Sequence, residues 1–363
     1  MATEIVEFTP EWDAAAARFN LRMRAGNAPA AFDLPERAAK PKDGLVHAKH
    51  FVAVDGTEVR GGILVLEHPA FVNGAHETVI NLQSPLSEAI IDSKYAMVSI
   101  QLIRFAVKRC PRAYVVGMGS EENPLPRLLK ASGWNVRQVP FFFRILRPTR
   151  ALTELQPLQR SVLKRIVARV GAFSGAGHVA LKFVQRQHAS AKGYRVERAN
   201  AATPADDHLW AEVEQRLSFG VVRDSSTLAQ YLAPRVERHR IYRDDEPCGW
   251  FSMLIAPMRN HSYFGNMTVA TLIDMVANRA SHLGALAVLA VDRAKSAGCD
   301  LVVSNQLQAE AQEALRAAGF LAYGSNFLMA SSKVLSAAMN DDSSFVTRQD
   351  GDGLINLQGA DSR

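Results

Sequence analysis

The chain repeats itself once, and that repeat limits the architectures open to it. LLKASGW at Leu128–Trp134 returns as ALRAAGF at Ala314–Phe320, with Gly133 and Gly319 standing 186 positions apart. Upstream, DGTEVRGG at Asp55–Gly62 returns as DDEPCGW at Asp244–Trp250, and Gly62 and Gly249 stand 187 apart. Between these landmarks AYVVGMG at Ala113–Gly119 matches DLVVSNQ at Asp300–Gln306, again near 186. Three landmarks in one order at one offset point to two copies of one unit. The length, 363 residues, already suits two domains.

Both halves show the same succession of periodicities. An opening strand (Ile5–Phe8; Tyr194–Val196) leads to a helix with large side chains on its apolar face (Trp12 and Phe19; Trp210 and Leu217). Two strands joined by a tight turn follow: His50–Val54 and Val59–Leu66 about Asp55-Gly56, then Arg240–Arg243 and Gly249–Ile255 about Asp244-Asp245. A third strand (Thr78–Leu82; Tyr263–Ile273) precedes a loop and a helix (Val98–Arg109; Ala285–Ala297). A short buried-strand run comes next, then a helix ending at the glycine of ASGW or AAGF, an expected C-cap. Each half closes on a β-rich run, Val136–Leu146 or Asn326–Ala330. The pattern predicts mixed α/β domains at residues 1–147 and 193–336, a linker at 148–192 and a disordered tail at 337–363.

Charge sharpens the linker. The chain carries a net charge of +6, whereas Pro148–Arg198 holds ten Lys/Arg against Glu154 and Glu197. That segment alone has a net +8, so the remainder is slightly acidic and basicity argues nothing about either domain's site. Val162, Ile166, Val170 and Phe173 recur there at helical spacing, which reads as a solvated connecting helix or a functional basic face.

Several classes fall away. Cys110, Cys248 and Cys299 lie far apart with no paired spacing, so no disulfide framework or zinc site is expected and a reducing, cytoplasmic setting fits. The start of the chain has no apolar signal core, and no run is long enough for a membrane-spanning helix. No Walker or Rossmann fingerprint is present, and Ser174 lacks a strand–turn–helix context for a hydrolase nucleophile. His47 and His50 have metal-like spacing without companions and read as a strand entry. Charges in ERHR (Glu237–Arg240) and at Arg223-Asp224 read as surface, or as binding for a carboxylated acceptor.

The order of elements, with the Gly-aromatic helix ends, resembles the GNAT (acyl-CoA N-acyltransferase) superfamily, present twice. The resemblance implies two tandem GNAT-like domains, each a mixed, mostly antiparallel sheet flanked by helices. It also implies acyl transfer from acetyl-CoA or another acyl-CoA to an amine, with no metal. In that family a Gln/Arg-x-x-Gly-x-Gly/Ala loop ahead of the central helix binds the CoA pyrophosphate. Unpaired amides and the positive helix end favour an anion there. In the second copy Arg279, Leu283 and Gly284 sit in register with it while His282 replaces the first glycine, and Arg279, Ser281, His282, Leu283, Gly284 and Ala285 are the binding candidates. In the first copy Lys94 and Val98 fit it while Met97 and Ser99 replace both glycines, and Lys94, Val98 and Ser99 are the binding candidates there. The family's asparagine ahead of the next helix corresponds to Asn123 and Asn305. Its tyrosine acid has no counterpart, and Tyr323 would substitute only if the chain folds back. Asn266 and Asp274, in the polar run His261–Asp274, are the candidates for the cleft, with Glu77 and Glu88 as first-copy equivalents.

CoA is thus expected on the second domain, with a small-molecule amine or amino-sugar acceptor and no DNA partner. Two other readings remain open: an aminoacyl-tRNA-dependent transferase of the peptidoglycan-bridge type, for which RNA would meet the basic linker, and a binding scaffold whose sites have decayed.

Overall fold

The computed structural model describes residues 3–28, 33–34, 47–156, 183–231, 235–325 and 327–351. They form two compact units. The first comprises Met1–Arg137, Leu328–Asn340 and Asp350–Asp352; the second comprises Gln138–Phe327, Asp341–Gln349 and Gly353–Arg363.

In the first unit, β1 (Glu4–Glu7) and α1 (Asp13–Ala25) precede the long strands β2 (His47–Asp55), β3 (Glu58–Val72) and β4 (Ala75–Ser87). Then come α2 (Val98–Arg109), β5 (Ala113–Val116), α3 (Pro124–Ala131) and β6 (Asn135–Gln138). The second unit receives β7 (Phe141–Ile145), α4 (Pro148–Glu154), β8 (Tyr194–Ala199), α5 (Pro204–Glu214), β9 (Phe219–Val221) and α6 (Ser225–Tyr231). It continues with β10 (Val236–Arg243), β11 (Glu246–Pro257), β12 (Thr268–Ala277), α7 (Ala280–Ser296), β13 (Leu301–Asn305), α8 (Ala309–Ala317) and β14 (Leu321–Tyr323). Last are β15 (Leu328–Ser331) and α9 (Ser336–Asn340).

The first sheet runs β1-β2-β3-β4-β5-β15-β6 and the second β14-β7-β13-β12-β11-β10-β8. In both, the hairpin strands are antiparallel and one central pair, β4/β5 or β12/β13, is parallel. A parallel pair needs a crossover, and α2 and α7 supply it. Each helix lays an apolar stripe on its own sheet: Val98, Leu102, Ile103 and Ala106 in α2, and Leu283, Leu286, Ala287, Ala290, Val291 and Ala294 in α7.

The closing strands go to the opposite copies. The sequence places Val136–Leu146 in the first domain and Asn326–Ala330 in the second. Instead β7 pairs with β13, from Asn305↔Phe141 to Leu301↔Ile145. Likewise β15 pairs with β5, from Met329↔Val116 to Ser331↔Tyr114. Phe142 packs into the second unit's core and Ala330 into the first's. Alternation within a strand fixes which face it buries, not which of two like sheets it joins. The unit boundaries shift accordingly from 147 and 336.

Two more expectations are corrected. Residues 337–351 of the expected tail are structured: Met339 is buried in the first unit and Phe345 and Val346 in the second, because this stretch carries apolar side chains the units can cover. The third strand of the second half begins at Thr268, not Tyr263. His261 and Gly265 exchange backbone hydrogen bonds in a turn, with Gly265 at φ +56°. The linker's proposed helix, Val162–Phe173, lies outside the described residues. No helix among the described residues is long and apolar enough to cross a membrane.

Candidate functional site

The site begins where two parallel strands part. β12 pairs with β13 from Val269↔Leu301 to Leu272↔Ser304, and no further. At Ile273 a bulge shifts its register against β11, between Ser252 and Met253. A bulge bends and re-aims a strand. From Ile273 to Ala277 the inner edge of β12 has no strand partner among the described residues; these residues are buried, and Arg216 Nη2 donates to Ala277 O at 2.9 Å.

The opposite edge of this splay is already taken. Gln306 donates its N–H to Pro140 on the β7 side, so its neighbour Leu307 faces the β12 side. Leu307 donates there to Val346 O at 3.0 Å, and Gln306 bridges Thr347. The segment Phe345–Thr347 therefore runs along the extension of β13. Thr347 Oγ1 donates to Asp274 Oδ1 across the gap at 2.5 Å.

Only Asn278 and Arg279 separate β12 from α7. Arg279 caps the helix with no side-chain hydrogen bond, and its first turn holds no acid. The leading amides and the positive helix end are thus left for an anion. Arg279, Ala280 and Ser281 are exposed. The other matched residues have different tasks. His282 Nδ1 meets Tyr194 Oη at 2.8 Å, and burial first, then Arg279 and Arg243, lower its pKa. Leu283 and Ala285 are buried in the core. Gly284 lies under Ala189, whose Cβ would stand 3.2 Å from a Cβ added there. His188 and Ala189 both donate to Ala317 O, so this strap spans α7 and the end of α8.

The first unit's counterpart is longer and self-capped. β4 bulges at Ser84, which sits at φ +45°, and parts from β5 after Asn81↔Tyr114. Residues 88–97 then form two short turns before α2. Asp92 accepts from Lys94 N at 3.2 Å and pairs with Lys94 Nζ at 2.6 Å, placing a carboxylate where an anion would have to bind. Val98 is buried and Ser99 Oγ donates to Pro85 O. Val98 and Ser99 are thus committed to the fold, while Lys94 is exposed and pairs with Asp92.

The residues proposed for the chemistry are not brought together. Asn266 lies at the other end of β12, bound to Glu154 and Asn260. Tyr323 is exposed on β14. Asp274 does reach the splay, but Arg223 Nε and Thr347 Oγ1 occupy its oxygens. Asn305 donates to Val139 O and Pro140 O and accepts from Arg348 Nε. Of the first-copy pair, Glu88 is held by Arg22 and Arg60, and Glu77 by Arg112.

Charges read as surface turn out buried. Arg223 is fully enclosed, and Arg238 and Arg240 grip Asp206, which also closes a capping box with Thr203. The apolar run Phe219–Val222 ahead of Arg223 was the available signal. Thr347 and Arg348 carried none, since they reach the site only through the tail.

No family model matches the sequence, and comparison with curated proteins found no match. Solved structures do share the architecture. A GCN5-related N-acetyltransferase from Anabaena variabilis aligns with TM-score 0.51 at 12% identity, over 91% of this chain and 72% of its own. A conserved protein from Enterococcus faecalis, described as a probable N-acyltransferase, aligns with TM-score 0.50 at 10% identity, over the same 91% and 72%. Identities this low speak to the fold. The parted parallel strands, the crossover helix and the two equivalent sheets are those of the GNAT fold, which this protein carries in two copies.

Proposed function

We propose that the chain is an acyl-CoA-dependent N-acyltransferase that receives its acyl donor on the second unit. One observation carries this: the inner edge of β12 from Ile273, without a strand partner among the described residues, leads almost directly into the uncapped, acid-free start of α7. An extended thioester arm would add to that strand edge, and Arg279 with the amides of Ala280 and Ser281 would take the pyrophosphate. The first unit offers a longer loop closed by Asp92 and serves as scaffold or acceptor surface.

The acceptor nitrogen, as a free amine, attacks the thioester carbonyl; the C–N bond forms, the C–S bond breaks, and the thiolate takes up the proton the amine gives up. The enzyme's part is to hold the two groups together and to present backbone N–H groups to the tetrahedral oxyanion. Asp274 keeps the splay in shape through Arg223 and Thr347.

Calorimetry of the full chain with acetyl-CoA and longer acyl-CoAs tests the reading. Micromolar binding is expected, abolished in Gly284→Trp, whose indole must displace the Ala189 strap. Absence of binding by every acyl-CoA rules out the acyl-CoA reading; binding that survives Gly284→Trp moves the donor off the second unit.

A further inference from the structure

Most buried arginines of the second unit have an acid: Arg223 has Asp274, and Arg238 has Asp206. Arg348 does not. Its Nε donates to the neutral amide oxygen Asn305 Oδ1 at 2.7 Å, and its guanidinium carbon lies 5.5 Å from the centre of the Phe327 ring. No carboxylate among the described residues pairs with it. It is partly buried, and burial pushes its pKa down to about 10. Yet the side chain is not sealed, for part of its surface stays accessible. Among the described residues neither terminal nitrogen of this guanidinium has a hydrogen-bond or ion-pair partner.

Its place in the fold says what that charge could meet. Arg348 directly follows Phe345–Thr347, the segment along β13, and is tied to Asn305 at the carboxyl end of that strand. That is the mouth of the splay, opposite the open edge of β12. The surroundings, Asn305, Ser325 and Phe327, are neutral. A single uncompensated positive charge balances a monoanion, and the planar fork of arginine matches a carboxylate in two parallel hydrogen bonds.

We propose that Arg348 binds the carboxylate of the acceptor, so that the substrate class is amines that carry a carboxylate, as amino acids do. The proposal rests on the acyl-transfer reading for its role in turnover, but the binding it requires does not. The guanidinium anchors the carboxylate while the amine of the same molecule is directed towards the donor edge of β12. Arg223, the arginine that sequence alone would offer for this task, is already neutralised by Asp274.

Matched pairs test it, each an amino acid and its decarboxylated amine: glycine and methylamine, phenylalanine and phenethylamine, lysine and cadaverine. Calorimetry or saturation-transfer NMR on the full chain, without any acyl-CoA, should show the carboxylated member binding about tenfold tighter or more. Arg348→Gln should bring the two members of a pair level, and Arg348→Lys should restore part of the difference. Equal affinities in the unaltered protein, or a preference that survives Arg348→Gln, would overturn the proposal. The unaltered protein decides even if the variants fold poorly. A carboxylate preference without acyl-CoA binding would leave this site standing and remove the acyltransferase reading.

Discussion

Arg223 Nε donates to Asp274 Oδ2 over 2.9 Å with both side chains enclosed, at 0% and 1% exposure. The pair holds β12 just past its bulge, and Thr347 closes the other carboxylate oxygen. A buried ion pair adds little as a whole, but loss of one partner strands the other charge in a poor solvent.

Asp274→Ala should therefore cost about 3–5 kcal/mol of stability. The double change Arg223→Met with Asp274→Leu should recover most of that loss. Urea unfolding of the three proteins checks it; a single variant as stable as the parent would show that the pair is not what holds the strand.

Gly61 and Gly249 meet the same crowding in the two copies. A Cβ at Gly61 would lie 2.4 Å from Leu86 O, and one at Gly249 would lie 2.5 Å from Val276 O. Backbone cannot step aside cheaply, so Gly61→Ala and Gly249→Ala should each destabilise by about 1–3 kcal/mol. Gly324→Ala, where a Cβ meets nothing within 4 Å, is the control and should be near neutral in thermal melts.

His50 makes the stability depend on pH. It is buried beside Phe8, and burial pushes its imidazole down to about 4. The unfolded chain protonates this group near pH 6.5 while the folded chain stays neutral to about pH 4. Its contribution is thus complete above pH 6.5 and is lost as the pH falls towards 4, by about 3 kcal/mol in all. Unfolding midpoints measured across that window should fall, and His50→Phe should flatten the fall.

The ordered tail has a direct test. Phe345 is 1% exposed, stacks edge-on with Trp210 and donates its N–H to Phe219 O. Phe345→Ala should cost about 3–5 kcal/mol, the range for an aromatic removed from a packed core. A melting temperature unchanged from the parent would return this segment to the status of an unstructured tail.

Much of the fold was legible because periodicity and turn chemistry are local. α2 spans Val98–Arg109 as read, and Gly56 and Asp244-Asp245 turn their hairpins with left-handed backbone. The site was legible only in part. Arg279 and Ser281 stand exposed at the helix start that the resemblance points to, while His282 and Gly284 are covered by Tyr194 and Ala189. Nothing in the neighbourhood of His282 announces Tyr194, which is distant in sequence.

By itself, the sequence determined that there are two copies of one α/β unit, where their hairpins turn, and which helix faces are apolar. Those features depend on residues within a few positions of one another. Only the tertiary structure decided that β7 and β15 join the opposite sheets, that Arg223 belongs to Asp274, and that the tail lies along β13 and delivers Arg348 to its end. Strand partners and buried charge pairs are chosen by space and by the cost of leaving a polar group alone, and neither is written in local sequence.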